Sequence, residues 1–341
     1  MNNERKTPIT VVTGFLGSGK TTLLANILKQ DKFKNASVII NEYGQAGLDH
    51  RLIRRIEERT VLLSGGCLCC NRREDLVNEL LSMLNEHQMQ KTILDRVVIE
   101  TTGLADPAPI LFSILTHPVL VHHYYVDMVV TCIDCVNGDL HLDNNPESVK
   151  QIATADKIIV TKTDLAGQPV LEKLLKRIFA LNPSAQITTA IQGKTNDDIL
   201  DVPNFFGKTK VLSNQDYSQK NVSPHSFAIH SMAVQFTDPL DWLAFGIWMS
   251  MLLQKHGEKV FRIKGIIDVG ELGPVVLNGV QHIIHPPQHL ANWQDYEERN
   301  SQIVFITREI EPQQIMASLN AFQHILGAQP KIQEINLSMF S

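Results

Sequence analysis

The chain has 341 residues, of which 43% are hydrophobic and 20% are charged, values typical of a soluble globular protein with two domains. Its net charge is −5, and no Lys and Arg run interleaves with aromatic residues, which argues against a nucleic-acid partner. The longest apolar runs are too short to cross a bilayer, and the N-terminal residues lack a signal-peptide pattern. We therefore expect a cytoplasmic protein that does not associate with membranes.

Residues 14–22, G-F-L-G-S-G-K-T-T, contain the phosphate-binding loop signature G-x-x-x-x-G-K-T between a predicted strand and a predicted helix. We expect its glycines to turn backbone N–H groups toward the β-phosphate of a nucleotide. Lys20 would bridge the β- and γ-phosphates, and the Thr21 hydroxyl would ligate Mg²⁺. The predicted nucleotide-binding residues here are Gly14, Gly17, Ser18, Gly19, Lys20, Thr21 and Thr22.

Polar residues follow the next predicted strands, at the ends where open parallel sheets bind their ligands. The strand at 36–40 ends in N-E-Y-G, where Glu42 is a hypothetical group for orienting the attacking water. The strand at 95–100 ends in Glu100, which we expect to orient the waters of Mg²⁺. Gly103 follows and would offer its N–H to the γ-phosphate, so residues 103–109 are a candidate switch.

The tetrad T-K-T-D at residues 161–164 follows the strand predicted at 157–160 and resembles the N-K-x-D guanine motif of GTPases, with Thr in place of Asn. Asp164 would accept hydrogen bonds from the ring N–H and the exocyclic amine of guanine, and the Lys162 stem would pack over the base. Adenine lacks that pair of donors. The motif therefore favours GTP over ATP.

Three of the five cysteines form a C-x-C-C cluster: Cys67, Cys69 and Cys70. Thiolates at this spacing after two glycines could converge on one soft or borderline metal ion, in a site left open for exchange. Buried inert thiols or a redox pair are the alternatives.

The organisation of the chain changes after a polar stretch. Strands alternate with helices through residues 1–212, which predicts an α/β domain with a mainly parallel sheet. Its other predicted strands lie at 9–12, 61–63, 128–134 and 186–190, and its helices at 23–29, 74–84 and 170–181. A linker is expected at 213–225. Residues 226–341 predict a smaller α+β domain with an antiparallel sheet, with helices at 240–255 and 313–326 and with strands around 226–236, 260–269, 275–277, 281–284 and 303–306.

The motifs G-F-L-G-S-G-K-T, N-E-Y-G, G-G-C-L-C-C, E-T-T-G-L-A-D-P and T-K-T-D, in this order, resemble those of the CobW-like metallochaperone GTPases. The likeness extends over nearly the whole chain and includes R-I-K-G at 262–265. It implies a P-loop NTPase domain followed by a CobW C-terminal-like domain. It also implies a GTPase that binds Zn²⁺, or in some branches Co²⁺ or iron, through the three clustered cysteines and delivers it to a client metalloenzyme. Lys20, Glu42 and Glu100 are the expected catalytic residues, in a monomer or weak homo-oligomer.

Two other functions are compatible with these motifs. A small-molecule or nucleotide kinase also carries a phosphate loop, but it usually lacks a guanine motif, so selectivity for GTP over ATP separates the two. A nucleotide-regulated metal buffer or redox switch would bind metal equally in every nucleotide state, or form a disulfide within the cysteine cluster.

Overall fold

A computed structural model describes residues 6–30, 33, 35–40, 60–62, 71–90, 94–195, 199, 229–293 and 299–333. These residues form two compact units. The first holds the described residues up to Leu174 and those from Ala185 to residue 199, and the second holds Leu175–Ser184 and the described residues from 229 onward. The linker expected at 213–225 lies outside the described residues.

The first unit is built on a parallel sheet that has seven strands in the described part of the chain, in the order β3-β2-β4-β1-β5-β6-β7. Its middle strands are nearly continuous apolar runs because helices cover both faces of such a sheet. The predicted parallel α/β fold is confirmed. The strands are β1 Thr7–Gly14, β2 Ala36–Ile40, β3 Thr60–Leu62, β4 Arg96–Glu100, β5 Tyr124–Asp134, β6 Lys157–Thr161 and β7 Gln186–Ala190.

Among the residues of this region that the structure describes, three α-helices match the sequence prediction, and four were not predicted. The predicted ones are α1 Lys20–Ile27, α2 Asn71–Gln90 and α7 Gln168–Leu181. The others are α3 Ala108–Thr116, α4 Leu120–His123, α5 Gly138–Asn144 and α6 Pro146–Thr154. Proline at the first position of α6 is a helix-start signal, but the helix has only nine residues and buries the polar residues Ser148, Gln151 and Thr154, so few large apolar residues mark it in the sequence.

The strand order determines where the site lies. β1 lies between β4 and β5, and β6 follows β5, so the carboxyl ends of these four strands meet at one edge of the sheet. Open parallel sheets bind ligands at this edge. The residues at these ends are Gly14, Glu100, Asp134 and Thr161.

The described residues of the second unit from 229 onward form an antiparallel sheet and two α-helices, with the strand order β11-β10-β9-β13-β8-β14 and β12 paired to β10. The predicted α+β domain is confirmed. Its elements are β8 Ile229–Phe236, α8 Trp242–His256, β9 Val260–Ile267, β10 Val275–Val280, β11 Ile283–Ile284, β12 Gln288–His289, β13 Ser301–Arg308, α9 Pro312–Leu326 and β14 Lys331–Gln333.

Both helices of this unit contribute to one hydrophobic core. Trp248 of α8 is 1% exposed, and its indole Nε1 donates to the Ser318 hydroxyl of α9 at 2.8 Å. Burial of this ring and of Met249 shows that they serve core packing. No helix of the described residues in either unit is both long and apolar enough to cross a membrane.

Candidate functional site

The loop between β1 and α1 has a backbone that only glycine adopts readily. Gly14, Gly17 and Gly19 have φ values of 136°, 71° and 88°. A Cβ built on Gly14 would lie 2.2 Å from the carbonyl oxygen of Cys132, so even alanine would collide with β5. All three glycines therefore meet the need for a positive φ, and Gly14 also permits a close approach to the neighbouring strand.

Lys20, at the start of α1, is folded back over this loop. Its side chain is 4% exposed, and Nζ donates to the carbonyl oxygens of Gly14 at 2.9 Å and Phe15 at 3.2 Å. The ammonium group lies beside the N-terminus of α1, whose partial positive charge adds to its own. This concentration of positive charge is suited to an anion such as a phosphate group.

Thr21 and Glu100 form a pair of oxygen donors next to Lys20. The Thr21 hydroxyl donates to Glu100 Oε1 at 2.6 Å, a short hydrogen bond of the kind made to a carboxylate. Glu100 ends β4 and is fully buried. A hydroxyl and a carboxylate are hard oxygen ligands, so these residues fit Mg²⁺, which Thr21 would ligate and Glu100 would support through its waters.

The segment after β4 lies directly against the phosphate loop. The Thr101 backbone N–H donates to the Val12 carbonyl at 2.9 Å, and its hydroxyl donates to the Thr13 hydroxyl at 2.8 Å. A Cβ built on Gly103 would lie 2.6 Å from the backbone nitrogen of Leu16. Glycine is therefore required at 103 because the two backbones approach so closely, whereas contact of its N–H with a γ-phosphate stays a prediction.

The T-K-T-D tetrad is attached to the loop through its first residue. Thr161 ends β6 and is 4% exposed, and its hydroxyl donates to the Ser18 carbonyl at 2.8 Å. Threonine in place of asparagine thus keeps a side-chain hydrogen bond to the phosphate loop. Lys162 follows in the left-handed region with φ of 57°, and Asp164 is exposed in the short turn Thr163–Leu165. A strained backbone at a non-glycine residue is common at ligand sites.

Asp134, at the end of β5, is a site residue that the sequence reasoning missed. It is 2% exposed, and its carboxylate accepts from Lys162 Nζ at 2.7 Å, Asn137 Nδ2 at 3.1 Å and the Val136 N–H at 2.8 Å. Burial alone would raise the pKa of the Asp134 carboxyl, but these hydrogen bonds outweigh it and hold the pKa below its ordinary value. An acid that ends a buried strand was the signal that identified Glu100, and it also applies here.

Replacing Asp134 with asparagine is expected to weaken GDP binding about fivefold to tenfold, because Lys162 loses its anionic partner while the hydrogen-bonding shape is kept. Binding of a fluorescent GDP analogue measures the effect. Asp139→Asn is the matched control, since Asp139 pairs with Lys173, whose side chain is 75% exposed. If Asp134→Asn and wild type bound GDP with equal affinity, Asp134 would have no role in nucleotide binding.

A turn after β7 contacts α1 at Thr22 and Asn26, and this too was not predicted. Asn26 Nδ2 donates to the Gln192 carbonyl at 2.8 Å and to the Thr22 carbonyl at 3.1 Å. Gly193 has φ of 73°, and a Cβ built on it would lie 2.6 Å from the Thr22 carbonyl oxygen. The turn thus lies next to Thr22, which is exposed.

The structure brings together one group of the predicted residues and does not describe the other. The phosphate loop, Glu100, Gly103 and the T-K-T-D tetrad lie at one sheet edge, whereas Glu42 and the three clustered cysteines lie outside the described residues. Within the described residues, no three His, Cys, Asp or Glu side chains form a potential metal site. The remaining cysteines are buried, and burial raises the pKa of Cys132 to about 12, so this thiol is inert at neutral pH.

Comparison with known families and structures agrees with this geometry. The nucleotide-binding domain of the CobW/HypB/UreG family matches residues 8–189, and the C-terminal domain of the cobalamin synthesis protein CobW matches residues 229–323. The chain is 32% identical over 311 residues to the zinc chaperone YjiA of Escherichia coli, covering 91% of this chain and 96% of YjiA. It is 29% identical over 315 residues to zinc-regulated GTPase metalloprotein activator 1 of Schizosaccharomyces pombe, covering 81% of this chain and 75% of that protein.

A solved structure extends the similarity to both units. The crystal structure of the Zn(II)-bound YjiA GTPase from E. coli aligns with a TM-score of 0.69 at 29% identity, covering 93% of this chain and 99% of that one. The first family match alone spans more than half of the chain, and the second lies in the antiparallel unit. The chain therefore belongs to the CobW/HypB/UreG family and carries a CobW-type C-terminal domain.

Proposed function

We propose that this protein is a GTP-hydrolysing metal chaperone that binds zinc at its C-x-C-C cluster and delivers it to a client metalloenzyme. The main support for GTP binding and hydrolysis is that three features lie at one edge of the sheet: Lys20, the Thr21–Glu100 pair and the Lys162 turn. The zinc half is supported by the three clustered cysteines and by the zinc chaperones and zinc-regulated GTPases among the relatives.

Hydrolysis in this proposal depends on positioning and charge neutralisation. Phosphoryl transfer requires little covalent chemistry from the protein. Lys20 would hold the β- and γ-phosphates, Thr21 would ligate Mg²⁺ with Glu100 supporting it through its waters, and the Gly103 N–H would contact the γ-phosphate. Glu42 orients the attacking water. Mg²⁺, when bound, neutralises the charge that develops on the phosphate oxygens.

Base selection in this proposal relies on the turn after β6. The Asp164 carboxylate is exposed and therefore accessible to the two guanine donors, while Lys162 is oriented by Asp134 for packing over the base. A kinase would have no need for this arrangement. GTP binding at least tenfold tighter than ATP binding is therefore expected, and equal affinity for the two would favour the kinase alternative.

The metal half of the proposal assigns Cys67, Cys69 and Cys70 as thiolate ligands, with Cys69 central. Thiolates favour zinc over hard cations, and Co²⁺ or Fe²⁺ are possible alternatives at the same ligands. At most three ligands come from this loop, so His, a carboxylate or water completes the site, which stays open for transfer. The protein acts in the cytoplasm as a monomer or weak homo-oligomer, and its partner is the client metalloenzyme.

The decisive experiment measures Zn²⁺ affinity by competition with a chromophoric chelator, in the presence of a non-hydrolysable GTP analogue or of GDP. We expect the wild-type affinity to differ between the two nucleotides and the Cys69→Ser variant to bind Zn²⁺ about 100-fold more weakly, since one strong ligand is lost. Cys135→Ser is the matched control, because Cys135 is buried and outside the cluster.

Each result has a definite meaning. Nucleotide-dependent affinity that is lost in Cys69→Ser and kept in Cys135→Ser supports delivery coupled to the nucleotide state. Equal affinity with both nucleotides would show that the cluster is a metal buffer. A disulfide formed within the cluster on mild oxidation, with no metal affinity, would support a redox switch.

A further inference from the structure

Helix α6 holds the segment after β4 through a single buried amide. Gln151 is 1% exposed, and its Nε2 donates to the carbonyl oxygens of Gly103 at 3.1 Å and Ala105 at 2.9 Å. A side-chain amide nitrogen has two N–H groups, so this one directs its full donor capacity to two carbonyls of the candidate switch. The contact joins residues separated by 48 and 46 positions in the chain.

Gln151 is itself firmly attached to the sheet. Its backbone carbonyl accepts from the Thr131 hydroxyl of β5 at 2.8 Å, and both partners are buried. Its side chain also lines a small cavity together with Ser18 of the phosphate loop and Ser148 of α6. The amide therefore lies between a rigid strand, the phosphate loop and the candidate switch. Because its backbone is anchored to β5 and its side-chain nitrogen donates only to the candidate switch, Gln151 is suited to determining the position of that backbone.

Gly103 is thus restrained from both directions along the chain. On one side Thr101 is hydrogen-bonded to Val12 and Thr13 of β1, and on the other Gln151 holds the Gly103 carbonyl. The Gly103 N–H shares a planar peptide unit with the Thr102 carbonyl, which accepts from the Ala105 N–H at 3.1 Å, and Ala105 is in turn held by Gln151 through its own carbonyl, so the direction of the Gly103 N–H is restrained. Its close approach to Leu16 keeps it beside the phosphate loop.

We propose that Gln151 is a positioning residue that holds residues 103–105 so that the Gly103 N–H is aimed at the γ-phosphate of GTP. It thereby sets the preference for GTP over GDP, a nucleotide that lacks this phosphate. The inference rests on the proposed function, in which Gly103 contacts the γ-phosphate. Gln151 touches neither nucleotide nor metal in this role and acts only through the switch backbone.

The test compares the affinity for a non-hydrolysable GTP analogue with that for GDP in two variants. Gln151→Leu keeps the approximate volume and removes both donors, and Gln151→Asn keeps the amide but is one methylene too short. We expect the analogue to bind about tenfold more weakly to Gln151→Leu while GDP affinity is unchanged, since two hydrogen bonds no longer orient the segment. The turnover number should fall by a similar factor. Gln151→Asn should also lower both the affinity for the analogue and the turnover number.

Lys150→Ala is the matched control. Lys150 is the neighbour of Gln151 on α6 and contacts the same segment through an ion pair with Asp106 at 3.2 Å, but both side chains are partly exposed. Solvent-exposed ion pairs stabilise a protein only slightly, so we expect less than about a twofold change in the analogue-to-GDP affinity ratio. If Lys150→Ala changed the analogue-to-GDP affinity ratio as much as Gln151→Leu does, the proposal would be overturned, because any disturbance of α6 would then have the same effect.

Unchanged GDP affinity identifies a folded variant, and Gln151→Asn supplies the test if the leucine variant does not fold. An unaltered analogue-to-GDP ratio in a folded variant would overturn the role of Gln151 and leave the proposed function intact. Failure of the proposed function has a different signature, since wild type itself would then neither prefer the analogue nor hydrolyse GTP.

Discussion

Replacing Lys20 with alanine is expected to weaken binding of both GTP and GDP by at least about 100-fold, because charge-assisted hydrogen bonds to phosphate are among the strongest. The ammonium group is buried and lies over the loop, bonded to the Gly14 and Phe15 carbonyls. A phosphate would exchange these neutral acceptors for charged ones. Titration of the protein against fluorescent GDP and GTP analogues measures the loss.

The control for this change is Lys29→Ala. Lys29 lies just after α1 and is exposed, so removing its charge tests whether net charge alone affects nucleotide affinity. We expect its affinity to stay within about twofold of wild type, since exposed charges are screened by solvent and salt. Tight GTP binding by Lys20→Ala would show that residues 14–22 are not a phosphate-binding loop.

Glu100→Gln is expected to lower the turnover number for GTP about 100-fold while leaving GDP affinity without Mg²⁺ nearly unchanged. Glutamine has the same shape and its amide oxygen still accepts from the Thr21 hydroxyl, but it carries no charge to support Mg²⁺ or its waters. Because Glu100 is fully buried in β4, the change removes a charge without altering the surface. Steady-state hydrolysis measured over a range of Mg²⁺ concentrations gives both the turnover and the metal requirement.

Glu172→Gln provides the control for this variant, because Glu172 is an exposed glutamate on α7 at the protein surface. Its turnover and Mg²⁺ dependence should match wild type. If Glu100→Gln hydrolysed GTP at the wild-type rate with the same Mg²⁺ requirement, Glu100 would have no part in metal binding, and its burial would have to be explained by folding alone.

Strands were predicted more accurately than helices, for a physical reason. β2 and β7 match the prediction to the residue, since short β-branched runs between polar turns leave little choice of register or element. Helix α5 was missed because it has seven residues and buries only one large apolar side chain, Leu142, and α6 was missed because its buried face includes polar side chains such as Gln151. Burial of such polar side chains in α6 is favourable only once hydrogen-bond partners from elsewhere in the chain are present.

The sequence by itself determined the local chemistry of the site: three glycines with Lys20 and Thr21 between a strand and a helix, an acid at the end of β4, and the T-K-T-D turn. These features depend on neighbouring residues and are visible in a short stretch. Only the tertiary structure decided which of them meet. Thr21 and Glu100 are 79 residues apart, Asp134 and Lys162 are 28 apart, and Gly103 and Gln151 are 48 apart. They come together because β1 lies between β4 and β5 and β6 pairs with β5, and strand order is set by how the whole sheet packs.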